Sequence, residues 1–355
     1  MVSSFGLIGS GWRAEFYLRI ARDLPEQFPL AGVVVRSSEK REQVARIWSV
    51  PVFATVEELV AEGRPDFVVT SVSSTANLRL LELLTEGGVP ILSETPIGRE
   101  LSHLHRVADL ARSGAQIQVA EQYLFQPLHA ARLELIRSGR LGTIYEADVS
   151  IAHGYHGMSL LRHFLQVAFR LPRISARRFG SRIVKGPDRR GAPSQRRLVE
   201  SERTIAQLDF GDRLGIYDFT GDQYFSWIRS PRLLVRGEEG EIHQTTVRLL
   251  HNVYTPFQFD LVRRDTGHNG NLEGYAHQLI WGGAEILYQN PFPAMRWSDD
   301  EIAVATSLSK MANYVATSES FYSVAEACHD CYLDLLIADS VATSREIISE
   351  PQPWM

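Results

Sequence analysis

Nine residues near the start of the chain, Gly6-Leu7-Ile8-Gly9-Ser10-Gly11-Trp12-Arg13-Ala14, restrict the possible fold more than any other segment. They place Gly-x-Gly-x-x-Ala between a short apolar run, Ser4 to Ile8, and a helical pattern, Trp12 to Leu24. In such a turn Gly9 permits the sharp strand-to-helix reversal, Gly11 lets a pyrophosphate approach the backbone, and Ala14 lets the helix pack closely on the strand. The helix N-terminus then faces the anion. The alternative is a structural turn without a ligand. The next hundred or so residues favour the ligand: apolar runs at 30–35, 66–70, 89–92 and 116–120 alternate with helical patterns at 38–48, 75–86 and 100–113. Continuous apolar runs rich in β-branched residues predict strands buried on both faces, hence a doubly wound parallel sheet of the Rossmann type.

The pattern changes after Glu121. A helix is expected over 127–138, then strands at 144–151, 204–210, 213–218, 232–236 and 242–249, with turns such as Phe210-Gly211-Asp212 between them. Residues 185–200, rich in Gly, Pro and Arg, read as an exposed loop, and two helices, 299–315 and 324–347, close the chain. The fold class is therefore α/β. A Rossmann domain at 1–121 is followed at 122–355 by an α+β domain with a large, mostly antiparallel sheet. A chain of 355 residues suits two such cores.

Charge and cysteine content exclude some classes. A net charge of −5 gives no electrostatic reason for nucleic-acid binding, and the cluster Arg189, Arg190, Arg196, Arg197 reads as a solvated loop rather than a polyanion site. No apolar run approaches a membrane span, and the opening residues do not read as a signal peptide, so a cytoplasmic setting is expected. Cys328 and Cys331 lie in a helical pattern without a second ligand pair; they are expected to pack in a core, and no metal site is expected.

The second strand chooses between cofactors. NAD enzymes commonly end it with a carboxylate for the ribose 2′-hydroxyl. Here Val35 is followed by Arg36 and Ser37, which suit a 2′-phosphate, so NADP is expected over NAD. The alternative is an Arg36 that stacks on adenine or meets solvent.

Five segments in this order, GLIGSGWRA, DFVVTS, ILSETPIG, VAEQYLFQP and SGRLGTIYEA, make the chain resemble the Gfo/Idh/MocA oxidoreductases over residues 1–165, and in outline beyond. The resemblance implies an NAD(P)-dependent dehydrogenase or reductase, with a small polar substrate (sugar, polyol, ketone or imine) held between the domains. It also implies a homo-oligomer, dimer or tetramer, built through the open sheet. It implies that Ser10, Trp12, Arg13, Ser71, Ser73, Asn77, Glu94, Thr95, Pro96 and Gln122 join Gly9, Gly11, Arg36 and Ser37 around the cofactor. The chain departs from the family pattern at the chemistry. Glu94-Thr95-Pro96 replaces Glu-Lys-Pro, Ala152 and Ser159 stand where carboxylates are usual, and Asn77 stands where a cofactor-contacting His is usual.

With Thr95 not basic, His156 is the candidate acid/base, since an imidazole titrates near neutrality. His153 and Tyr155 would assist. Tyr123 at the domain crossover, with Asp222, Tyr224 and Trp227 in the stretch from Asp218 to Arg229, would meet the substrate through aromatic faces and hydroxyl-binding groups. That stretch reads equally well as a sheet edge at a subunit interface. Two other functions stay open: an enzyme of net non-redox chemistry driven by transient oxidation, and a regulatory protein that binds a dinucleotide without turnover.

Overall fold

A computed structural model describes residues 2–355. The N-terminal third builds β1 (Phe5–Ile8), α1 (Ala14–Asp23), β2 (Leu30–Val34), α2 (Ser38–Trp48), β3 (Val52–Phe53), α3 (Val56–Glu58), β4 (Phe67–Thr70), α4 (Ser74–Glu86), β5 (Ile91–Ser93), α5 (Leu101–Arg112) and β6 (Ile117–Val119). These six strands form one parallel sheet in the order β3-β2-β1-β4-β5-β6. This is a Rossmann sheet, and its strand order reverses between β1 and β4. β1, β4, β5 and β6 are buried along their whole length, which is why their sequences are largely apolar, with the buried polar side chains Thr70, Ser93 and Gln118 among them.

The rest of the chain adds α6 (Pro127–Arg137), β7 (Ile144–Ser150), α7 (Gly154–Leu165), β8 (Arg173–Val184), β9 (Leu198–Asp209), β10 (Leu214–Thr220), β11 (Arg232–Gly237), β12 (Gly240–His243), β13 (Thr246–Asn252), β14 (Thr255–Thr266), β15 (Ala276–Gly282), β16 (Glu285–Gln289), α8 (Asp299–Thr317), α9 (Val324–Thr343) and β17 (Ile347–Ile348). Among the described residues, eleven strands form one sheet in the order β16-β15-β14-β13-β12-β11-β7-β10-β9-β8-β17. β7 and β10 pair in parallel, and the other neighbours are antiparallel. Helices α6, α7 and α9 cover one face. The opposite face is open and exposes Ile205, Leu250, Val262, Trp281 and Ile286.

Several boundaries differ from the sequence reading. β8 and β14–β16 escape it; in β8 and β14 most side chains are exposed and carry too many charges for an apolar signal, and β15 and β16 are short. β9 begins at Leu198, so the loop is 185–197. The strand expected over 242–249 is two strands joined by a turn with Gln244 at φ 58°. The final helix stops at Thr343, where Ser344 turns left-handed, and Ile347 enters β17 against β8.

Two cores result. One runs from beneath the Rossmann sheet through α5, α6, α7 and α9 to the inner face of the large sheet. In the other, Phe5, Leu7, Tyr17 and Phe67 pack with Phe292, Trp297, Ile302 and Met311. Thus α8, nearly 300 residues downstream of β1, completes the N-terminal domain's hydrophobic layer. Arg19 Nε to Glu301 Oε1 (2.7 Å) and Trp297 Nε1 to Asp23 Oδ2 (2.9 Å) fasten it there. Both late helices start with reciprocal capping boxes, Ser298–Glu301 and Ser323–Glu326, worth about 1 kcal/mol each. Among the described residues, no helix is long and apolar enough to cross a membrane.

Candidate active site

The carboxyl ends of β1, β4 and β5 lie side by side where the strand order reverses, which opens a crevice in folds of this kind. Gly9 adopts φ 123°, and a Cβ there would lie 2.1 Å from the Ser71 carbonyl oxygen, so glycine is required. At Gly11 a Cβ would meet nothing within 4 Å. The backbone of the Gly9-Ser10-Gly11 turn therefore borders open space at the start of α1, the shape a pyrophosphate cradle needs. Beyond β2, Arg36 and Ser37 are exposed and Ser37 caps α2 through the Lys40 amide. Arg41 Nη1 donates to the carbonyls of Val35 and Arg36, adding a second guanidinium to that corner.

At the inner end of the crevice, Glu94 is the hub of a polar network. Tyr17 donates to its Oε1 at 2.7 Å, and its Oε2 accepts from the Thr95 amide at 3.3 Å. Arg13 Nε lies 3.8 Å from Oε1 and Arg13 Nη1 lies 3.5 Å from Asp300 of α8. Gln122, oriented to satisfy its neighbours, donates to the Ala120 carbonyl and accepts from Arg13 Nη2, both at 3.0 Å. Glu94 and Asp300 hold the partly buried Arg13 guanidinium firmly cationic against its desolvation. The Thr95–Pro96 peptide is cis.

α7 brings the second half of the site. His156 is buried, and its Nδ1 lies 2.5 Å from Oε2 of Glu121, which is buried as well. Burial pushes the Glu121 carboxyl up to about 8 and the His156 imidazole down to about 3. Both directions have one cause: desolvation favours the net-neutral pair, which holds one proton between the two groups. Tyr123 and Tyr155 flank the imidazole at ring-centroid distances of 4.7 and 4.4 Å, and His153 meets it edge-on at 5.1 Å. Burial, with the neighbouring His156 and Arg99, lowers His153 to about 4, so its ring is neutral. The Tyr224 hydroxyl accepts the His153 amide at 3.0 Å and sits 2.7 Å from Nδ1. Its own proton then goes to Nδ1, and Nε2–H faces the Tyr155 hydroxyl at 3.3 Å. Tyr155 in turn lies against the Thr95 hydroxyl. A connected row results, Tyr123–Tyr224–His153–Tyr155–Thr95, beside the Glu121–His156 pair.

The structure thus brings His153, Tyr155, His156, Thr95, Tyr123 and Tyr224 together. Other expected residues are engaged in local contacts or stand apart from this cluster. Asn77, expected to touch the cofactor, has its amide buried between Thr70 Oγ1 (2.8 Å) and Ser93 Oγ (2.9 Å), where it knits β4 to β5. Ser73 is exposed at the start of α4 with its hydroxyl on Thr75. Asp222, expected to meet substrate, has its carboxylate taken by Ser201 and Thr220, and it shapes the turn after β10. Trp227, 76% exposed, lines a groove with Lys185, Pro193 and Arg196 and makes no ring contact with the histidines. Sequence reasoning misses Glu121 and Asp300. Glu121 is adjacent to two chosen residues, but its burial depends on the meeting of the two domains. Cys328 and Cys331 are free and buried against α5 and α7.

A Rossmann sheet with a glycine cradle, set against helices and a second sheet that line the same crevice with ionisable side chains, is the architecture of dinucleotide-binding folds. Residues 3–121 match the family model GFO_IDH_MocA, described as the oxidoreductase family with an NAD-binding Rossmann fold. Over that segment the chain is similar to the Gfo/Idh/MocA oxidoreductases. A myo-inositol dehydrogenase, Hyg17, of Streptomyces leeuwenhoekii is 38% identical over 97 residues, which span 27% of this chain and 30% of that relative's length. The fold is shared along nearly the whole chain with levoglucosan dehydrogenase solved with NADH and levoglucosan (TM-score 0.72, 14% identity, 99% and 100% of the two chains). It is shared also with an oxidoreductase from Agrobacterium radiobacter solved with NAD+, L-tartaric acid and magnesium (TM-score 0.69, 15% identity, 98% of each chain).

Proposed function

We propose that the protein is a nicotinamide-dependent dehydrogenase or reductase, with NADP preferred over NAD, acting on a small polar substrate such as a sugar, polyol, ketone or imine. Gly9, Ser10, Gly11, Arg13 and Gln122 hold the dinucleotide, and Glu94, Thr95 and Pro96 border its reactive ring. The fit is supported by the open space at Gly11 and by Arg13 Nη1, a buried guanidinium nitrogen without a hydrogen-bond partner. When bound, the nicotinamide supplies a hydride acceptor or donor. The protein's own residues handle the proton.

The observation that carries this reading is the buried Glu121–His156 pair at 2.5 Å. Once the pair has lost its proton, the Glu121 carboxylate accepts from Nδ1–H and leaves the Nε2 lone pair to take a proton from an alcohol; while the pair holds it, Nε2–H can return one to a carbonyl. Tyr155, anchored by His153 and Thr95, orients the substrate oxygen beside it. The pair gives the chain an acid/base apparatus where the usual lysine is absent, which speaks against a role confined to regulation. NADP preference is supported by Arg36, Ser37 and Arg41 at the end of β2, where Val35 stands in place of the carboxylate that would oppose a 2′-phosphate. Self-association through the open sheet face is part of the same proposal.

The test combines binding and turnover. NADPH and NADH are titrated into the protein, read by nicotinamide fluorescence, and the binder is used to screen polyols, sugars and their keto forms. Tight NADPH and weak NADH binding is expected, with turnover lost in His156→Ala while cofactor affinity holds. Full turnover in that variant refutes the assignment of His156, and an NADH preference refutes that of Arg36.

A further inference from the structure

The loop between β8 and β9 carries arginines and a lysine that the proposed chemistry does not use. Hydrogen bonds hold it at its base and at its tip. Lys185 N–H donates to the Arg197 carbonyl at 2.9 Å and closes the base. At the tip, Asp188 and Gly191 exchange backbone hydrogen bonds of 3.0 and 2.9 Å, leaving Arg189 and Arg190 as a two-residue turn. The carboxylate of Asp188 is taken by Lys185 Nζ (3.1 Å) and the Arg190 amide (2.9 Å), so it does not neutralise Arg189.

Arg189 does not extend into solvent. Its guanidinium carbon lies 4.0 Å from the centroid of the Trp12 indole. Trp12 follows Gly11 at the head of α1, beside the open space of the cradle, and is itself held edge-on by Phe16 at 4.9 Å. A loop from the second domain thus reaches across the crevice and sets a cation above the turn where a diphosphate would lie. Stacking satisfies the flat face of a guanidinium and leaves its in-plane N–H groups free for phosphate oxygens. Arg13 lies on the same indole but is committed to Glu94 and Asp300, so among the described residues Arg189 is the cation there without an acidic neighbour to pair with.

We propose that loop 185–197 is a strap over the bound dinucleotide, with Arg189 stacked on Trp12 and donating to the pyrophosphate from the opposite domain. This rests on the dinucleotide-binding reading above. The ligand group is the diphosphate, common to both nicotinamide cofactors and to ADP-ribose, and not the 2′-phosphate that Arg36 addresses. The strap therefore sets affinity and residence time without setting the choice between NADP and NAD.

The experiment measures Kd and dissociation rate for NADPH, NADH and ADP-ribose in the full-length wild-type protein and in Arg189→Ala, Arg189→Lys and Arg190→Ala, with thermal unfolding to verify the fold. Arg189→Ala is expected to weaken all three ligands about tenfold, mainly through faster release, and to leave the NADPH-to-NADH ratio unchanged. Arg189→Lys should recover part of the loss. Arg190→Ala, with equal charge at the same tip and no ring beneath it, should stay within about twofold of wild type. Unchanged affinity in Arg189→Ala, a loss confined to NADPH, or an equal loss in Arg190→Ala each overturns the strap. Failure of the wild type to bind any of the three ligands overturns the dinucleotide reading itself, a result distinct from wild-type binding that ignores Arg189.

Discussion

Two buried histidines show how context sets the meaning of one residue type. His156 has a carboxylate partner and belongs to the proposed chemistry. Because Glu121 is pushed up to about 8, the pair loses its proton near that pH. Alcohol oxidation needs the proton-free pair, so kcat/KM in that direction should rise as pH increases through about 8, and reduction should fall over the same window. Glu121→Gln should remove this dependence and cost on the order of 10² in rate, read from pH–rate profiles in both directions. His329 has no carboxylate partner among the described residues and is fully buried. Burial, with Arg162 nearby, pushes it down to about 3. The unfolded chain binds this proton near pH 6.5 and the folded one does not, so its contribution to stability is lost as pH falls below about 6.5. His329→Leu should flatten the acid side of the stability curve by up to about 2 kcal/mol between pH 6.5 and 5, measured from urea midpoints. A mutant curve as steep as wild type would refute the assignment.

Among the elements, α7 carries the site and depends on one glycine. A Cβ at Gly157 would lie 2.5 Å from the Tyr217 ring and 2.9 Å from the Ala152 carbonyl oxygen. The helix therefore lies directly on β10, and the Tyr217 hydroxyl accepts the Gly154 amide at 2.8 Å to hold its first turn. Gly157→Ala should lift α7, cost about 1–3 kcal/mol and reduce kcat. Cofactor affinity should not change, because neither the glycine cradle nor loop 185–197 is part of α7. Equilibrium unfolding together with NADPH titration separates these effects. The elements also differ in how readily the sequence discloses them. The Rossmann strands are legible because burial on both faces leaves a continuous apolar run, and the glycine turn fixes where they begin. β14, with Arg263, Arg264 and Asp265 in succession, gives no such run. The His153–His156 pair is legible on its helix. Its partner Glu121 is not, since no local pattern distinguishes a carboxylate that two domains will bury from one that solvent will surround. The same reason explains the reading of Arg189 as solvated: its indole partner is 177 residues earlier.

At the scale of the molecule, the large sheet leaves one face uncovered. Val262 and Trp281 are paired across β14 and β15, with Ile286 opposite Trp281 on β16. Arg203 and Arg232 converge on Asp218 farther along the same face. An exposed apolar row of this kind suits the subunit contact proposed above. Sedimentation should show a dimer or tetramer, and Trp281→Glu with Val262→Glu should shift it toward monomer. A wild-type monomer at micromolar concentration would refute that part of the proposal.

The position of α8 against Phe5, Tyr17 and Phe67 also bears on the order in which the chain is made. A ribosome releases β1 to β6 long before Ile302 and Met311 exist to cover them. During synthesis the first domain is therefore a half-closed sandwich with an oily side turned to its crowded surroundings, and it waits for a helix still to be translated. Chaperone attendance should concentrate in that interval, and a fragment ending at residue 121 should bind ANS and aggregate. Adding residues 292–317 as a separate peptide should rescue it.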